Sequence, residues 1–263
     1  MIENRRPKPE ELPTMEGPIC PIPLPHGETI VMGHGSGGKM MNDLIRKTFL
    51  PPLDNPALRA GDDAGVVQAN SCTQLAISTD CHVVAPLFFP GGDIGHLAVC
   101  GTVNDVAMLG ATPQYLTAGF ILEEGLEIAT LERVVKSMQA AAEEAGVQIV
   151  AGDTKVVQRG KADGLYITTA GVGTIIPGVE VGGAYAKPGD VVILSGPIGD
   201  HGIAVLGARG ELGFESDIQS DCAPLNHLIA AMLEASDQIH VLRDPTRGGV
   251  ASALNEISQQ SGV

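Results

Sequence analysis

The sequence predicts an α+β fold, because candidate strands and helices follow one another in a mixed order that allows antiparallel pairing. Hydrophobic residues make up 44% of the 263 residues, which is enough for a sizeable core. Only 3% of the residues are aromatic, so that core must be aliphatic. The 34 glycines follow no collagen-like period and should mark turns and close backbone approaches.

The first predicted elements surround a glycine-rich loop. A short strand is predicted at Thr29–Met32, followed by the loop Gly33–Gly38 and a helix that Pro51 and Pro52 should end. Further strands are predicted at 64–69, 74–79, 114–122, 147–151 and 165–176, and a buried helix at 94–109. The clearest helix is 131–145, with Thr130 as its cap and Gly146 as its stop signal.

Composition shifts suggest three parts of the chain. Residues 1–28 are proline-rich and should form an extended arm, since proline suits neither a helix nor an inner strand. The turn-rich stretch 177–189 separates a first domain at 29–180 from a second at 188–263. The second domain should open with a strand at Val191–Ser195 and continue with helices after Gly202 and near 224–235 and 247–259.

Charge and cysteine content exclude several functional classes. A net charge of −15 leaves no basic surface for nucleic acid. No apolar run is long enough to span a membrane, and the N-terminus lacks the pattern of a secretory signal. The five cysteines are scattered without a C-x-x-C pair, which favours a reducing cytoplasm and excludes a zinc ribbon.

The glycine loop is a candidate phosphate-binding segment. Gly33-x4-Gly38-Lys39 matches the start of a P-loop, but Met40 stands where a magnesium-binding Ser or Thr is required. A glycine-rich loop before a helix can nevertheless hold phosphate through backbone N–H groups. The alternative is a flexible turn that caps the helix.

Carboxylates recur beside predicted strands and inside the buried helix. They are Asp62 and Asp63 before a strand, Asp80 at the end of the next, Asp105 within the helix, and Asp153 after a further strand. An unpaired buried carboxylate is costly, so Asp105 needs a cation, hydrogen-bond donors or water. A helix cap or an arginine partner would satisfy it equally well. Taken together, these oxygen ligands favour Mg²⁺, which would bridge the acidic side chains to the phosphates of ATP, with Lys39 or Lys155 neutralising further charge.

The segment Arg243–Gly249 is open to two interpretations. Asp244 as N-cap and Pro245 at the first helical position would make a good helix start. Arg243, Arg247 and the two glycines could instead form an anion pocket. His201, in a glycine loop, has weak support for either a structural or a functional role.

Several of these segments together resemble one known family. Gly33–Lys39, Pro86–Ala111, Gly152–Gly160, Gly199–Gly202 and Arg243–Gly249 are similar to the HypE family of hydrogenase maturation proteins, within the PurM-like superfamily of aminoimidazole ribonucleotide synthetase. The stretch PLFFPGGDIGHLAVCGTVNDVAMLGA carries the resemblance most specifically.

The resemblance implies a fold, a reaction and partners. It implies a PurM-like first domain whose mixed sheet pairs with that of a second subunit to form a barrel in a homodimer, followed by a PurM-like C-terminal α/β domain. The reaction would be the ATP-dependent dehydration of a carbamoyl group on the protein's own C-terminal cysteine to a thiocyanate, for the Fe–CN ligands of [NiFe]-hydrogenase. The implied partners are the carbamoyltransferase HypF and the HypC–HypD complex.

The resemblance also assigns roles to residues. Lys155 matches a catalytic lysine, and metal and phosphates map onto Asp62, Asp63, Asp80, Asp105 and Asp153. Nucleotide contacts map onto the loop and two polar side chains: Gly35, Ser36, Gly37, Gly38, Lys39, Asn104 and Thr154. The family's Pro-Arg-x-Cys tail and an Asn-Glu-Gly segment do not occur in this sequence, so we expect an incomplete second domain. Alternatives are a non-catalytic ATP-binding scaffold for maturation, or a selenophosphate synthetase or thiamine-monophosphate kinase-like enzyme.

Overall fold

The computed structural model describes residues 29–211, 213 and 216–263, so the proline-rich arm predicted at 1–28 lies outside it. The strands are β1 Gly65–Asn70, β2 Thr73–His82, β3 Phe88–Phe89, β4 Gly92–Asp93, β5 Ala111–Glu123, β6 Gln148–Val157 and β7 Leu165–Ile175. The α-helices are α1 Gly38–Leu44, α2 Leu50–Leu53, α3 Pro56–Ala60, α4 Ile94–Met108, α5 Ile128–Ala145, α6 Asp200–Arg209, α7 Asn226–Ala235 and α8 Gly249–Ser261.

Five strands form one mixed sheet in the order β1-β2-β7-β5-β6. The β5–β6 pair of this sheet is parallel, and the β1–β2, β2–β7 and β5–β7 pairs are antiparallel. The helices α4 and α5 pack on one face, where an aliphatic core forms around Ile94, Leu116 and Met138. The prediction of an α+β fold with an aliphatic core is confirmed.

Close packing of α4 on the sheet depends on two glycines, Gly101 in the helix and Gly171 in β7. A Cβ atom on Gly101 would lie 3.0 Å from Nε2 of His82 and 3.1 Å from Oδ2 of Asp80. A Cβ atom on Gly171 would lie 2.7 Å from Cγ2 of Thr102. These glycines therefore let α4 approach β2 and β7 closely enough to bring Asp105 beside Asp80.

The other face of the sheet has no covering layer in the described chain. We call it the open sheet face. Its apolar side chains include Val67, Ile77, Tyr115 and Ile121, which are 39%, 44%, 46% and 41% exposed. Tyr115 and Ile77 flank Val172 across three adjacent strands, so the apolar surface is continuous.

Most predicted elements form, with shifted ends. Gly146 ends α5 in the left-handed conformation, with φ of 70°, as predicted. That helix begins earlier than expected, at Ile128, so Thr130 lies inside it and is not its cap. The strand β6 runs through Gly152–Lys155, a segment expected to follow the strand, because it keeps pairing with β5.

Two predicted strands do not form. In place of a strand at Thr29–Met32, a 3-10 turn spans Met32–Gly35, since the His34 backbone N–H donates to the Val31 carbonyl at 2.9 Å. Val191–Ser195 pairs with no strand among the described residues, and Val191 and Ile193 are largely exposed.

The helix after the glycine loop also differs from its prediction. Pro51 and Pro52 do not end it but lie in the first turn of α2, where proline is tolerated because the first N–H groups of a helix have no partner within it. The same helical stretch contains a π-helical turn at Ile45–Phe49. Across the described ranges, no helix is both long enough and apolar enough to cross a lipid bilayer.

Candidate functional site

Four buried or half-buried carboxylates meet where β2, α4 and two loops come together. We call them the acidic cluster: Asp63, Asp80, Asp105 and Asp244. The sequence placed them far apart, but the fold brings them close enough for their charges to influence one another. The sequence analysis predicts three of them, Asp63, Asp80 and Asp105, as metal ligands.

Asp105 projects from α4 toward β2. Its Oδ2 accepts a hydrogen bond of 2.6 Å from the Ser78 hydroxyl. Burial raises its pKa to about 7, opposed by the Ser78 hydrogen bond and reinforced by the charges of Asp63 and Asp80. Among the described residues Asp105 forms no salt bridge with an arginine, the alternative that the sequence left open, and the His82 imidazole only partly opposes the rise in its pKa.

Asp63 lies in the loop before β1. Nε of Arg243 is 3.2 Å from its Oδ1, while its buried Oδ2 has no hydrogen-bond partner among the described residues. Burial raises the pKa of Asp63 to about 7, although Arg243 acts in the opposite direction. The neighbouring Asp62 accepts a hydrogen bond of 2.9 Å from the backbone N–H of Gly183 and lies 4.0 Å from Arg243.

Asp80 is the cluster's best-neutralised carboxylate. Burial acts to raise its pKa, but the His82 imidazole, the backbone N–H of Cys81 and the Arg247 guanidinium outweigh burial and lower it. Nε2 of His82 lies 3.1 Å from Oδ2, and Nη2 of Arg247 lies 3.6 Å from Oδ1. Asp80 should therefore be ionised at neutral pH.

Asp244 is a member of the cluster that the sequence did not assign to it. The sequence offers Asp244 as the N-cap of a helix, but α8 begins only at Gly249, with Gly248 at its cap. Burial, followed by the charges of Asp105 and Asp63, raises the pKa of Asp244 well above its usual range. Its Oδ1 is buried without a hydrogen-bond partner in the described chain. The nearby Arg243 and Arg247 are the feature of the sequence that could have indicated an ionic site around Asp244.

This donor set fits a hard divalent cation. Carboxylate oxygens are the ligands that Mg²⁺ favours, and one buried oxygen each of Asp63 and Asp244 has no hydrogen-bond partner among the described residues. Burial, reinforced by mutual repulsion, raises the pKa of three of the four carboxylates and so makes their ionised states unfavourable. A cation would relieve that cost, so the residues fit Mg²⁺.

The glycine loop adjoins this cluster. Nη1 of Arg247 donates to the Gly35 carbonyl at 3.5 Å, while its Nη2 faces Asp80. A Cβ atom on Gly37, whose φ is 79°, would lie 2.9 Å from the backbone of Arg247. Ser36 donates to the Gly33 carbonyl, and Gly38 and the exposed Lys39 begin α1 beside this contact. The loop predicted to hold phosphates thus lies next to the predicted metal ligands.

Asn104 has backbone partners in the second half of the chain. Its side-chain amide donates to the Ala223 carbonyl at 3.1 Å and accepts from the Leu225 N–H at 2.8 Å. These bonds fix the 223–225 segment on α4. The predicted nucleotide contact of Asn104 stays a prediction.

Asp153, Thr154 and Lys155 lie apart from the acidic cluster. Nζ of Lys155 donates to both oxygens of Asp153, at 2.9 and 2.7 Å, and both side chains are 71% exposed. Three strand spacings separate β6 from β2, or about 14 Å. The register places Asp80 on the helix-covered face, in line with Gly152, so Asp153 and Lys155 lie on the open sheet face.

Arg243 should be an important stabilising residue of the site. Its side chain is 12% exposed, contacts Asp63 and Glu256, and links the loop before β1 to α8. We expect Arg243→Met to lower the free energy of unfolding by about 3 kcal/mol in Mg²⁺-free buffer, because it leaves buried acids uncompensated. Urea unfolding measures this. Arg59→Met, which breaks the exposed Arg59–Asp54 pair, is the matched control and should cost less than about 1 kcal/mol. Equal losses in the two variants would contradict the role given to Arg243.

Two family models match most of the described chain. The N-terminal domain of AIR synthase related proteins matches residues 61–175, and their C-terminal domain matches residues 187–263. A thiamine monophosphate kinase from Aquifex aeolicus, 19% identical with a TM-score of 0.63, shares the fold.

Closer relatives belong to one branch of these proteins. Carbamoyl dehydratase HypE of Cupriavidus necator is 55% identical over 234 residues, which are 89% of this chain and 67% of the relative. HypE of Escherichia coli is 46% identical, over 89% of this chain and 70% of the relative. The chain thus spans about two thirds of the length of these curated relatives.

Solved structures agree with the sequence relatives. A HypE–HypF complex contains a chain that is 55% identical, with a TM-score of 0.79, covering 84% of this chain and 71% of that one. A HypE in complex with ATP is 53% identical, with a TM-score of 0.69, covering 89% and 69%. With its family-model matches and its 55% identity to curated relatives, this chain belongs to the HypE carbamoyl dehydratase family of AIR synthase related proteins.

Proposed function

We propose that this chain binds Mg²⁺ and ATP at the acidic cluster and activates a carbamoyl group for dehydration in hydrogenase maturation. The observation that carries the proposal is the acidic cluster beside a glycine loop, in which one buried oxygen each of Asp63 and Asp244 has no hydrogen-bond partner among the described residues. A family member 53% identical to this chain has been solved in complex with ATP, which supports nucleotide binding.

The side chains have distinct roles in this proposal. Asp63, Asp80, Asp105 and Asp244 hold the cation, with Asp62 beside them. Mg²⁺, when bound, neutralises phosphate charge and helps transfer a phosphoryl group to the amide oxygen, which makes that oxygen a good leaving group. Arg247 and the loop Gly35–Lys39 position the phosphates. Lys155 either removes an N–H proton or balances phosphate charge.

We propose that the active form is a homodimer built on the open sheet face. A continuous apolar face of this kind is typical of an interaction surface. We expect Ile77→Asp to weaken self-association at least about tenfold, because it buries a charge at the centre of the interface. Sedimentation equilibrium measures this. Val135→Asp, on the exposed side of α5, is the control and should leave association unchanged. An unaltered dimer in Ile77→Asp would place the interface elsewhere.

Dimerisation would also explain the separation of Lys155 from the acidic cluster. Within one chain, Lys155 lies on the open sheet face and Asp80 on the helix-covered face, so we propose that the partner subunit's Lys155 completes a given cluster. Chains with Asp105→Asn and chains with Lys155→Ala should each be inactive, and mixing them should restore part of the ATP-dependent activity. A mixed dimer contains one intact site if the sites are shared. No restoration, with mixed dimers demonstrated, would contradict a shared site.

The reaction itself is tested with a separate substrate. A synthetic peptide with an S-carbamoylated cysteine is incubated with the chain, ATP and Mg²⁺, and mass spectrometry follows the loss of water that gives a thiocyanate. Conversion that requires both ATP and Mg²⁺ supports the proposal. ATP binding without conversion favours the second candidate, a nucleotide-binding scaffold.

Partners follow from the same family membership. A solved complex joins a 55% identical HypE to HypF, so we propose HypF as a partner of this chain. The HypC–HypD complex and a cytoplasmic location stay predictions from the resemblance. A kinase-like or selenophosphate synthetase-like activity has less support, since thiamine monophosphate kinases share only the fold.

A further inference from the structure

A second group of metal-binding side chains lies on α4, apart from the acidic cluster. His96 and Cys100 are four residues apart and lie on one face of the helix. Cys222, from the segment before α7, faces them. One ligand atom from each of the three residues lies within 4.8 Å of the others. Neither the family models nor the proposed reaction assigns a role to this group.

The backbone around Cys222 is fixed on both sides. The Ser220 N–H donates to the Pro90 carbonyl at 2.8 Å, and Ser220 packs so closely on Gly91 that a Cβ there would lie 2.6 Å from its nitrogen. After Cys222, the Asn104 amide binds the backbone of Ala223 and Leu225. The thiol is thus positioned over α4 before any ligand arrives.

The two thiols and the imidazole are not explained by packing alone. Cys100 is 1% exposed, whereas His96 and Cys222 are only half-buried, so a small ion can reach the group. The four cysteines in the described residues are all free thiols. Two sulfur ligands and one imidazole nitrogen are typical of zinc, and three protein ligands leave a fourth position for water.

The group is also separated from the acidic cluster by the helix itself. Asp105 follows His96 by nine residues, which at about 100° per residue turns it to the opposite side of α4. The two sites therefore differ in ligand chemistry and in position, and each can be disrupted without the other.

We propose that His96, Cys100 and Cys222 bind one Zn²⁺ ion, which fastens the 220–225 segment to α4. Both cysteines bind as thiolates and His96 as the neutral imidazole, so binding releases the thiol protons to solvent without any redox change.

The local electrostatics favour a thiolate at Cys222 but not at Cys100, because the contact with Cys222, together with burial, raises the pKa of Cys100. The Cys100 thiol, followed by the His96 imidazole, lowers the pKa of Cys222, although burial acts to raise it. The same contact with Cys222 raises the pKa of His96. The thiolate that a metal requires is thus favoured at one ligand before the ion binds.

Metal content and spectroscopy test the proposal on the full chain. The background carries Cys20→Ser, Cys72→Ser and Cys81→Ser, which leaves Cys100 and Cys222 as the only thiols. After chelation and addition of Zn²⁺ alone, we expect one Zn²⁺ per chain by mass spectrometry and a melting temperature several degrees higher than without Zn²⁺. Co²⁺ in its place should give a thiolate-to-cobalt charge-transfer band and the intense visible bands of tetrahedral cobalt.

Variants separate this site from unspecific binding. Cys222→Ser and His96→Gln, at half-buried positions, should each weaken Zn²⁺ binding about tenfold or more and reduce the cobalt bands. Asp105→Asn should keep both signals, because it lies on the other side of the helix. Zinc content below one ion per chain, or cobalt bands unchanged in Cys222→Ser, would overturn the proposal. Formation of a Cys100–Cys222 disulfide in preference to zinc binding would also overturn it.

Discussion

Asp105→Asn should weaken Mg²⁺-dependent ATP binding by about a hundredfold or more. The substitution keeps the shape of the side chain and its contact with Ser78, but removes a buried negative charge from the centre of the acidic cluster. Loss of a direct ligand should exceed the 10–100-fold effect of losing a residue that only supports one. Isothermal titration calorimetry with ATP, with and without Mg²⁺, measures this.

A matched variant, Asp237→Asn, controls for the loss of negative charge in Asp105→Asn. Asp237→Asn removes the same charge from an exposed position after α7 and should leave ATP affinity unchanged. ATP that binds the Asp105 variant as tightly as the wild type, at the same Mg²⁺ concentration, would remove this residue from the metal site.

The second large effect concerns pH and stability in the absence of Mg²⁺. Asp63 and Asp105 have folded-state pKa values of about 7, raised from 3.8. Between these values the folded protein binds more protons than the unfolded chain, so their contribution to stability is complete below 3.8 and is lost as the pH rises through about 7. From about pH 5 to about pH 8, the two groups should together lower the free energy of unfolding by a few kcal/mol.

Urea unfolding of the wild type and Asp105→Asn isolates this effect. The asparagine amide is neutral in the folded and unfolded states, so the variant lacks the contribution of Asp105 to the pH dependence of the free energy of unfolding. Other groups that titrate in this range affect both proteins alike. The stability difference between the two should therefore change with pH, in favour of the variant at about pH 8. Saturating Mg²⁺ should reduce the decrease in the free energy of unfolding that the wild type shows as the pH rises. Identical pH profiles for the two proteins would contradict the buried, uncompensated state of Asp105.

Local patterns predicted much of the first domain. The helix predicted at 131–145 and its end at Gly146 follow from short-range rules, and both are found in the structure. The sequence predicts that Gly152–Lys155 follows its strand, yet parallel pairing with β5 carries the strand to Val157. Tertiary pairing outweighed local propensity there.

The site was predictable only in part, for physical reasons. Asp63, Asp80 and Asp105 stood out as carboxylates in apolar or turn contexts, and the fold brings them together. Asp244 was hidden because the sequence fits a helix start, while the helix begins five residues later, at Gly249. The separation of Asp153 and Lys155 from the cluster depends on strand order, which no local pattern specifies.

The proposed zinc site of His96, Cys100 and Cys222 also could not be predicted from local sequence patterns. His96 and Cys100 at helical spacing were visible in the sequence, but their third partner, Cys222, lies far along the chain. The absence of a C-x-x-C pair excludes a zinc ribbon only. It does not exclude a site assembled by packing between a helix and a distant segment.

The position of the ion is the most direct test of the central claim. Crystals grown with Mn²⁺ and a non-hydrolysable ATP analogue would locate the metal by its anomalous scattering. We predict a manganese peak coordinated by carboxylate oxygens of Asp105 and at least one of Asp63, Asp80 and Asp244, with the analogue's phosphates on its other side. An ordered analogue whose manganese is coordinated by none of these four carboxylates would contradict the account.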